Sequence, residues 1–253
     1  MSATAHGFIW YELITSDLDA ASRFYGEVVG WSVLPSGNPS MDYRMWSMAG
    51  HTIGGLMGLP APGMAPAWFG YVNVADVDAS VARMVAAGGA VLMAANDISG
   101  VGRIAMIADP QGAALYVMTP LGEGASTAFA PGVPGHGGWH ELHTSDWPAA
   151  LAFYGAEFGW RQTEAMDMGP MGTYLLFNNG GAAIGGMMNN PQMPHPAWLY
   201  YFCVDNINTA LTRVQAAGGK VLNAPREVPG GAWILQAQDP QGAMFALVGP
   251  TIA

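Results

Sequence analysis

The chain's first strong pattern is FIWYELIT at residues 8–15, an apolar run of strand length. It passes through Asp17 into Leu18, Ala21, Phe24, Tyr25 and Val28, which recur at the spacing of a helix with one buried face. Asp17 has the short acceptor side chain of an N-cap, and Gly30 the conformational freedom of a helix stop. Short apolar segments at 44–48 and 52–59, separated by Gly and turn residues, then read as strands. The theme repeats at once. WFGYVNV is a strand, Asp76 caps a helix carrying Val77, Val81, Met84 and Val85, Gly88 and Gly89 end it, and AVLMA, RIAMIA and ALYVM are further strands. The pattern predicts two successive βαβββ units.

The same pattern then recurs on a larger scale. WYELITSDLDAASRFYGEVVGW reappears as WHELHTSDWPAALAFYGAEFGW, with Glu141 lying 129 positions after Glu12 and Asp239 lying 130 after Asp109. The chain is therefore a tandem duplication. Between the copies, TPLGEGASTAFAPGVPGHGG has no hydrophobic period and is dense in Gly and Pro, so it reads as a linker. The predicted organisation is a first module at 1–118, a linker at 119–138 and a second module at 139–253. The two modules are expected to pair intramolecularly, and a homodimer is left open.

Charge and composition narrow the partners. Eight Lys and Arg stand against 18 Asp and Glu, a formal net charge of −10, and the basic residues are scattered. Phosphate-backbone binding needs clustered cations, so nucleic acid is excluded as the expected partner. MSATAHG has no basic stretch leading an apolar run and no segment is long enough to span a bilayer, which predicts a cytoplasmic protein without membrane contact. Cys203, the single cysteine, sits among large apolar neighbours and reads as a buried thiol. Nine Trp and 17 Met fit either core packing or an apolar or aromatic small-molecule ligand.

SDLDAASRFYGEVVGW with TSDWPAALAFYGAEFGW, AAGGAV with AAGGKV, and DPQGAALYV with DPQGAMFAL resemble the vicinal oxygen chelate superfamily along essentially the whole chain. This is the glyoxalase, bleomycin-resistance and extradiol-dioxygenase group. Gly102 and Arg103 ahead of ADPQG also resemble tandem glyoxalase-like bacterial proteins. The resemblance implies an α+β fold of two tandem glyoxalase-like modules, each a pair of βαβββ units forming a curved sheet around a cleft. It further implies an open metal site built from His, Gln and Glu on strands. At the positions it points to, this sequence has Trp10 and Trp139, Phe69 and Leu199, and Tyr116 and Ala246. None matches the family's donors, so neither metal nor other cofactor is expected.

Glu12 and Glu141 recur, each one pleat beyond a Trp on the same strand face. A carboxylate shielded beside indole rings would have its pKa raised, which suits a general acid or base, although each could equally be a structural acceptor. His143 shares the face of Glu141, whereas Ile14 shares that of Glu12, which favours the second module as the working cleft. The catalytic candidates are thus Glu12, Glu141 and His143. Trp10, Trp139, Tyr116, Phe69 and Arg103 are the ligand-binding candidates, Arg103 as the cation that could hold a carboxylate. Three readings remain open: a metal-independent lyase, isomerase or hydroxylase-like enzyme acting on an apolar or aromatic compound, a binding or sequestering protein of the resistance type, and a metal-dependent dioxygenase or lyase with atypical ligands.

Overall fold

A computed structural model describes residues 6–37, 41–122 and 124–251. The first copy runs β1 (Phe8–Thr15), α1 (Leu18–Val29), β2 (Ser32–Pro35), β3 (Tyr43–Met48), β4 (His51–Gly58), then β5 (Ala67–Asn73), α2 (Val77–Ala86), β6 (Ala90–Ile98), β7 (Gly102–Ala108) and β8 (Ala114–Pro120). The second runs β9 (Gly137–Thr144), α3 (Trp147–Phe158), β10 (Arg161–Asp167), β11 (Thr173–Asn178), β12 (Ala183–Asn189), then β13 (Ala197–Cys203), α4 (Ile207–Ala216), β14 (Lys220–Glu227), β15 (Trp233–Gln238) and β16 (Met244–Gly249). The strands belong to two eight-stranded sheets, one per copy, in a mixed α+β fold. No helix among the described residues is long and apolar enough to cross a membrane.

Helix starts and stops follow the sequence signals. The Asp17 carboxylate accepts from Ala20 N at 2.9 Å, and Asp76, Asp146 and Asn206 cap their helices in the same way. Gly30 and Gly159 close α1 and α3 in the left-handed conformation. On α2, Val77 and Met84 are buried as expected, but Val85 is 45% exposed and lies on the solvent side.

The compact units cut across the copies. One contains residues 1–9, 69–126 and 140–199, and the other contains 10–68, 127–139 and 200–253. In the first unit, β5-β8-β7-β6 and β10-β11-β12-β9 each form a four-stranded segment whose first and last strands in sequence pair in parallel. In the second, β2-β3-β4-β1 and β13-β16-β15-β14 do the same. Each unit therefore draws on both copies. The residues between the copies are bonded in place within these units: Ser126 Oγ donates to Ile9 O in the first, and Gly135 N donates to Cys203 O in the second.

Each unit has its own aromatic core. Phe158, Trp160 and Trp198 surround Tyr154 in the first, with Phe8 and Phe177 against Trp160. Trp31, Trp46, Trp68 and Phe245 surround Tyr25 in the second. Trp31, Trp46, Trp68, Trp160 and Trp198 are thus structural, which accounts for much of the Trp content without a ligand.

A repeated polar network ties the copies together inside each core. In the first unit Trp198 Nε1 donates to Tyr154 Oη at 3.2 Å, and Tyr154 donates to Asp109 Oδ2 at 3.0 Å. In the second, Trp68 donates to Tyr25 at 2.8 Å and Tyr25 to Asp239 at 3.1 Å. The other carboxylate oxygen of each Asp accepts two backbone N–H groups of its own DPQG turn. Burial holds both Asp109 and Asp239 above the usual carboxylate range, against the lowering effect of these donors.

The sign of that shift sets a pH dependence. A raised carboxyl pKa means that the folded state binds protons the unfolded state has released. The resulting stability is complete below the ordinary Asp value and is lost as pH rises through the folded value. The stability difference between wild type and Asp109→Asn, measured by urea melts across acid pH, should therefore shrink as pH rises through that window. A difference that grew with pH would contradict the assignment.

Candidate functional site

Glu12 on β1 faces a glycine across the parallel pair β1–β4, since its register partner is Gly55. In the second copy Glu141 on β9 faces Gly186 on β12 in the same way. Both glutamates are buried, 4% and 5% exposed. A Cβ on either glycine would collide with a phenol, Tyr43 over Gly55 and Tyr174 over Gly186. The absent side chain is what lets a tyrosine from β3 lie across β4 to reach β1, and one from β11 lie across β12 to reach β9. Tyr43 Oη donates to Glu12 Oε2 at 2.9 Å, and Tyr174 Oη donates to Glu141 Oε2 at 2.9 Å. This Glu–Gly–Tyr crossing occurs once in each unit.

The two sites then diverge. In the second unit Trp10 Nε1 donates to Tyr43 Oη at 3.1 Å, so Trp10 acts through the phenol on Glu12. Tyr43 also lines a shallow groove of about 510 Å³ with Val33, Pro35, Met41 and Arg44. In the first unit, His143 Nε2 lies 2.8 Å from Glu141 Oε1. Its Nδ1 lies 3.1 Å from Asn190 Nδ2, and Asn190 Oδ1 accepts from Gln192 N. With its oxygen committed to that turn, Asn190 presents N–H to the ring, so Nδ1 is the acceptor and Nε2–H the donor. Glu141 is then held on one oxygen by a phenol and on the other by an imidazole, and the carboxylate and imidazole are nearly excluded from water. An acid–base pair with one defined tautomer is an arrangement able to move a proton.

The remaining candidates lie elsewhere. Tyr116 stacks on Tyr71 with ring centroids 4.3 Å apart and meets Phe69 edge-on, forming an aromatic face in the first unit. Trp139 is half-buried on β9, two residues before Glu141. The Arg103 guanidinium is paired with two carboxylates, Asp78 at 2.7 and 2.8 Å and Asp97 at 3.0 Å. His140, next to Glu141 but on the opposite face, stacks on Phe8 and bonds Ile184 O, and burial drives its pKa down to about 3. It is a neutral core histidine. Cys203 is buried, and burial pushes its thiol up.

Sequence reasoning missed Tyr43, Tyr174, Gly55, Gly186 and Asn190. A usable signal existed in the paired IGG triplets at 53–55 and 184–186, each with a tyrosine upstream in the preceding strand. Among the described residues no three His, Cys, Asp or Glu side chains come together, and the family's ligand positions hold indole, phenyl, phenol and alkyl groups, so the residues do not fit its metal.

Comparison with known proteins bears on this architecture. The model of the Glyoxalase/Bleomycin resistance protein/Dioxygenase superfamily matches residues 7–117 and 138–247. A Mycobacterium tuberculosis (strain CDC 1551 / Oshkosh) protein named "Putative glyoxylase CFP32" is 35% identical over 95% of this chain and 94% of its own. The anthracycline biosynthesis protein DnrV of Streptomyces peucetius is 31% identical over 94% of this chain and 91% of its own. The crystal structure of a Mn(II)-bound glyoxalase from Novosphingobium aromaticivorans shares the fold, with a TM-score of 0.70 at 17% identity, covering 98% of this chain and 83% of that one.

Proposed function

Because the chain belongs to the glyoxalase, bleomycin resistance and dioxygenase superfamily, we propose that it binds an apolar or aromatic small molecule and converts it by metal-independent proton transfer at Glu141 and His143. One observation carries this reading. The first copy has Ile14 where the second has His143, so the fold is built without an imidazole there, and the second copy nevertheless aims one at a buried carboxylate. With Nε2–H toward Glu141, proton transfer at this pair has a defined starting tautomer. Tyr174 fixes the carboxylate from its other side. The chemistry fits a lyase or isomerase step at a carbon activated by a neighbouring carbonyl, because proton transfer alone supplies no oxidant for a hydroxylation. The relatives named for anthracycline biosynthesis, a class of polycyclic aromatic compounds, support an aromatic ligand.

The first copy favours a second reading for its own site. Glu12 is held by Tyr43 but has Ile14 in place of an imidazole, and such a site binds without transferring protons. If the second copy also only binds, the protein sequesters its ligand in the manner of resistance proteins.

Elemental analysis joined to native mass spectrometry tests both the metal and the ligand. Protein purified without chelator or added metal should carry Ni, Zn, Fe and Mn well below one equivalent per chain, and should retain an organic compound of low polarity. A full equivalent of any of these metals, abolished by Glu141→Ala or His143→Ala, would overturn the metal-independent reading.

A further inference from the structure

The turn that holds each core aspartate also carries a glutamine, and the two glutamines behave differently. In the first unit Gln111 reaches the segment that follows His143. Its Oε1 accepts from Thr144 Oγ1 at 2.5 Å, Ser145 N at 3.1 Å, Ser145 Oγ at 2.7 Å and Asp146 N at 2.7 Å, while its Nε2 donates to Asp146 O at 2.8 Å. A side chain of one copy thereby clasps three consecutive residues of the other. The second unit has the same parts, since Thr-Ser-Asp recurs at 15–17 and Gln241 stands in its own Asp-Pro-Gln-Gly turn. There the clasp does not close. Gln241 Oε1 is buried with no hydrogen-bond partner among the described residues, and Asp17 N turns to Thr15 Oγ1 at 3.4 Å.

What else differs between the units lies beside the clasp. Register makes Asn189 the counterpart of Gly58, so Asn190 corresponds to Leu59 as His143 does to Ile14. Both asparagines are tied to the clasped stretch: Asn190 N donates to Thr144 O at 2.9 Å, and Asn189 Oδ1 accepts from Trp147 N at 2.7 Å. In the second unit Leu59 N makes the same backbone bond to Thr15 O at 3.1 Å, so that connection belongs to the fold. Only in the first unit does it lead on through an amide side chain to His143 Nδ1. That last bond is the demanding one. A hydrogen bond weakens steeply as its angle closes, so the Asn190 backbone must be held still for its side chain to meet a ring nitrogen. Where leucine stands instead there is no such demand, and the glutamine oxygen is left idle.

We propose that Gln111 is a positioning residue for the Glu141–His143 pair: by fixing Thr144, Ser145 and Asp146 it holds Asn190 where the amide N–H meets His143 Nδ1, so a residue of the first copy orients the imidazole of the second. This rests on the proton-transfer reading above, through the tautomer it requires. An N–H···N bond transmits a scalar coupling between its two nitrogens, which nuclear magnetic resonance reads directly in the isotope-labelled full chain. His143→Ile, which installs the first copy's residue, assigns the signal. In mildly alkaline buffer, where a free imidazole is neutral, wild type should show the coupling between Asn190 Nδ2 and His143 Nδ1. Gln111→Met keeps the side chain's length without its amide and should abolish the coupling, whereas Gln241→Met should leave it unchanged. Thr144→Val withdraws only the closest of the four donors and should shrink the coupling, which gives the same reading should Gln111→Met fail to fold. A coupling of wild-type size in folded Gln111→Met, or in Thr144→Val in its place, or an equal loss in Gln241→Met, would overturn the role of Gln111 alone. No coupling in wild type would overturn the defined tautomer, and the proton-transfer reading together with it.

Discussion

Residues 1–120 expressed alone are expected to aggregate or self-associate rather than give a folded monomer. Neither compact unit is complete in that fragment, since one needs residues 140–199 and the other needs 200–253. The first core would lose Tyr154, Trp160, Phe177 and Trp198, and the second Phe202 and Phe245. Truncating one buried aromatic costs about 3–5 kcal/mol, against a net domain stability of about 5–15 kcal/mol. Losing several from each core exceeds that margin. Polar partners would go as well: Asp109 would lose Tyr154, and Tyr25 would lose Asp239. Ser80 and Arg83 on α2 would lose Glu157 on α3. Light scattering on the eluting species and near-ultraviolet circular dichroism would decide the matter, and a monomer with a cooperative melt would contradict it.

Glu141→Gln is expected to reduce ligand affinity or turnover about ten- to a hundredfold, the equivalent of about 1.5–3 kcal/mol for a charge-assisted hydrogen bond, and to do so far more than Glu12→Gln. The asymmetry follows from what surrounds each carboxylate. A glutamine amide group at position 141 would meet a donor whichever way it turned, the Tyr174 hydroxyl or the His143 Nε2–H. A hydroxyl rotates to adapt, but the imidazole is held in its tautomer by Asn190. At position 12 the Tyr43 hydroxyl donates to the carboxylate, and the residue two places on is Ile14 rather than a histidine. Affinity for the co-purifying compound, set beside the melting temperature of each variant, separates the roles. If both substitutions lowered the melting temperature alike and left affinity intact in the folded protein, both glutamates would be structural.

Periodicity carried most of the fold to the page. β1 spans the residues of FIWYELIT, the Asp17 cap and Gly30 stop are where their chemistry places them, and the duplication predicts the second copy from the first. The edge strands were harder to see. Ser32–Pro35 and Arg161–Asp167 are largely exposed, so no buried face imprints an apolar alternation on them. For the site, alternation placed Glu12 and Glu141 on their strand faces, but the tyrosines that anchor them are 31 and 33 residues away, and only the register of three strands brings them near. The interleaving of the copies was equally hidden, because local pattern says which face of a helix is buried but not which copy buries it.

That interleaving changes what the connection between the copies does. Two separate chains of one copy each would have to meet in solution, and dilution would part them. Joined by a short tether, each copy meets the other at an effective concentration on the order of millimolar, whatever the amount of protein present. The tether also lifts a constraint of symmetry. A pair of identical chains must present the same residues twice, so a histidine gained by one would be gained by both. In a single covalent chain Ile14 and His143, or Leu59 and Asn190, can occupy equivalent places in one molecule, and one copy can keep the architecture sound while the other changes its chemistry.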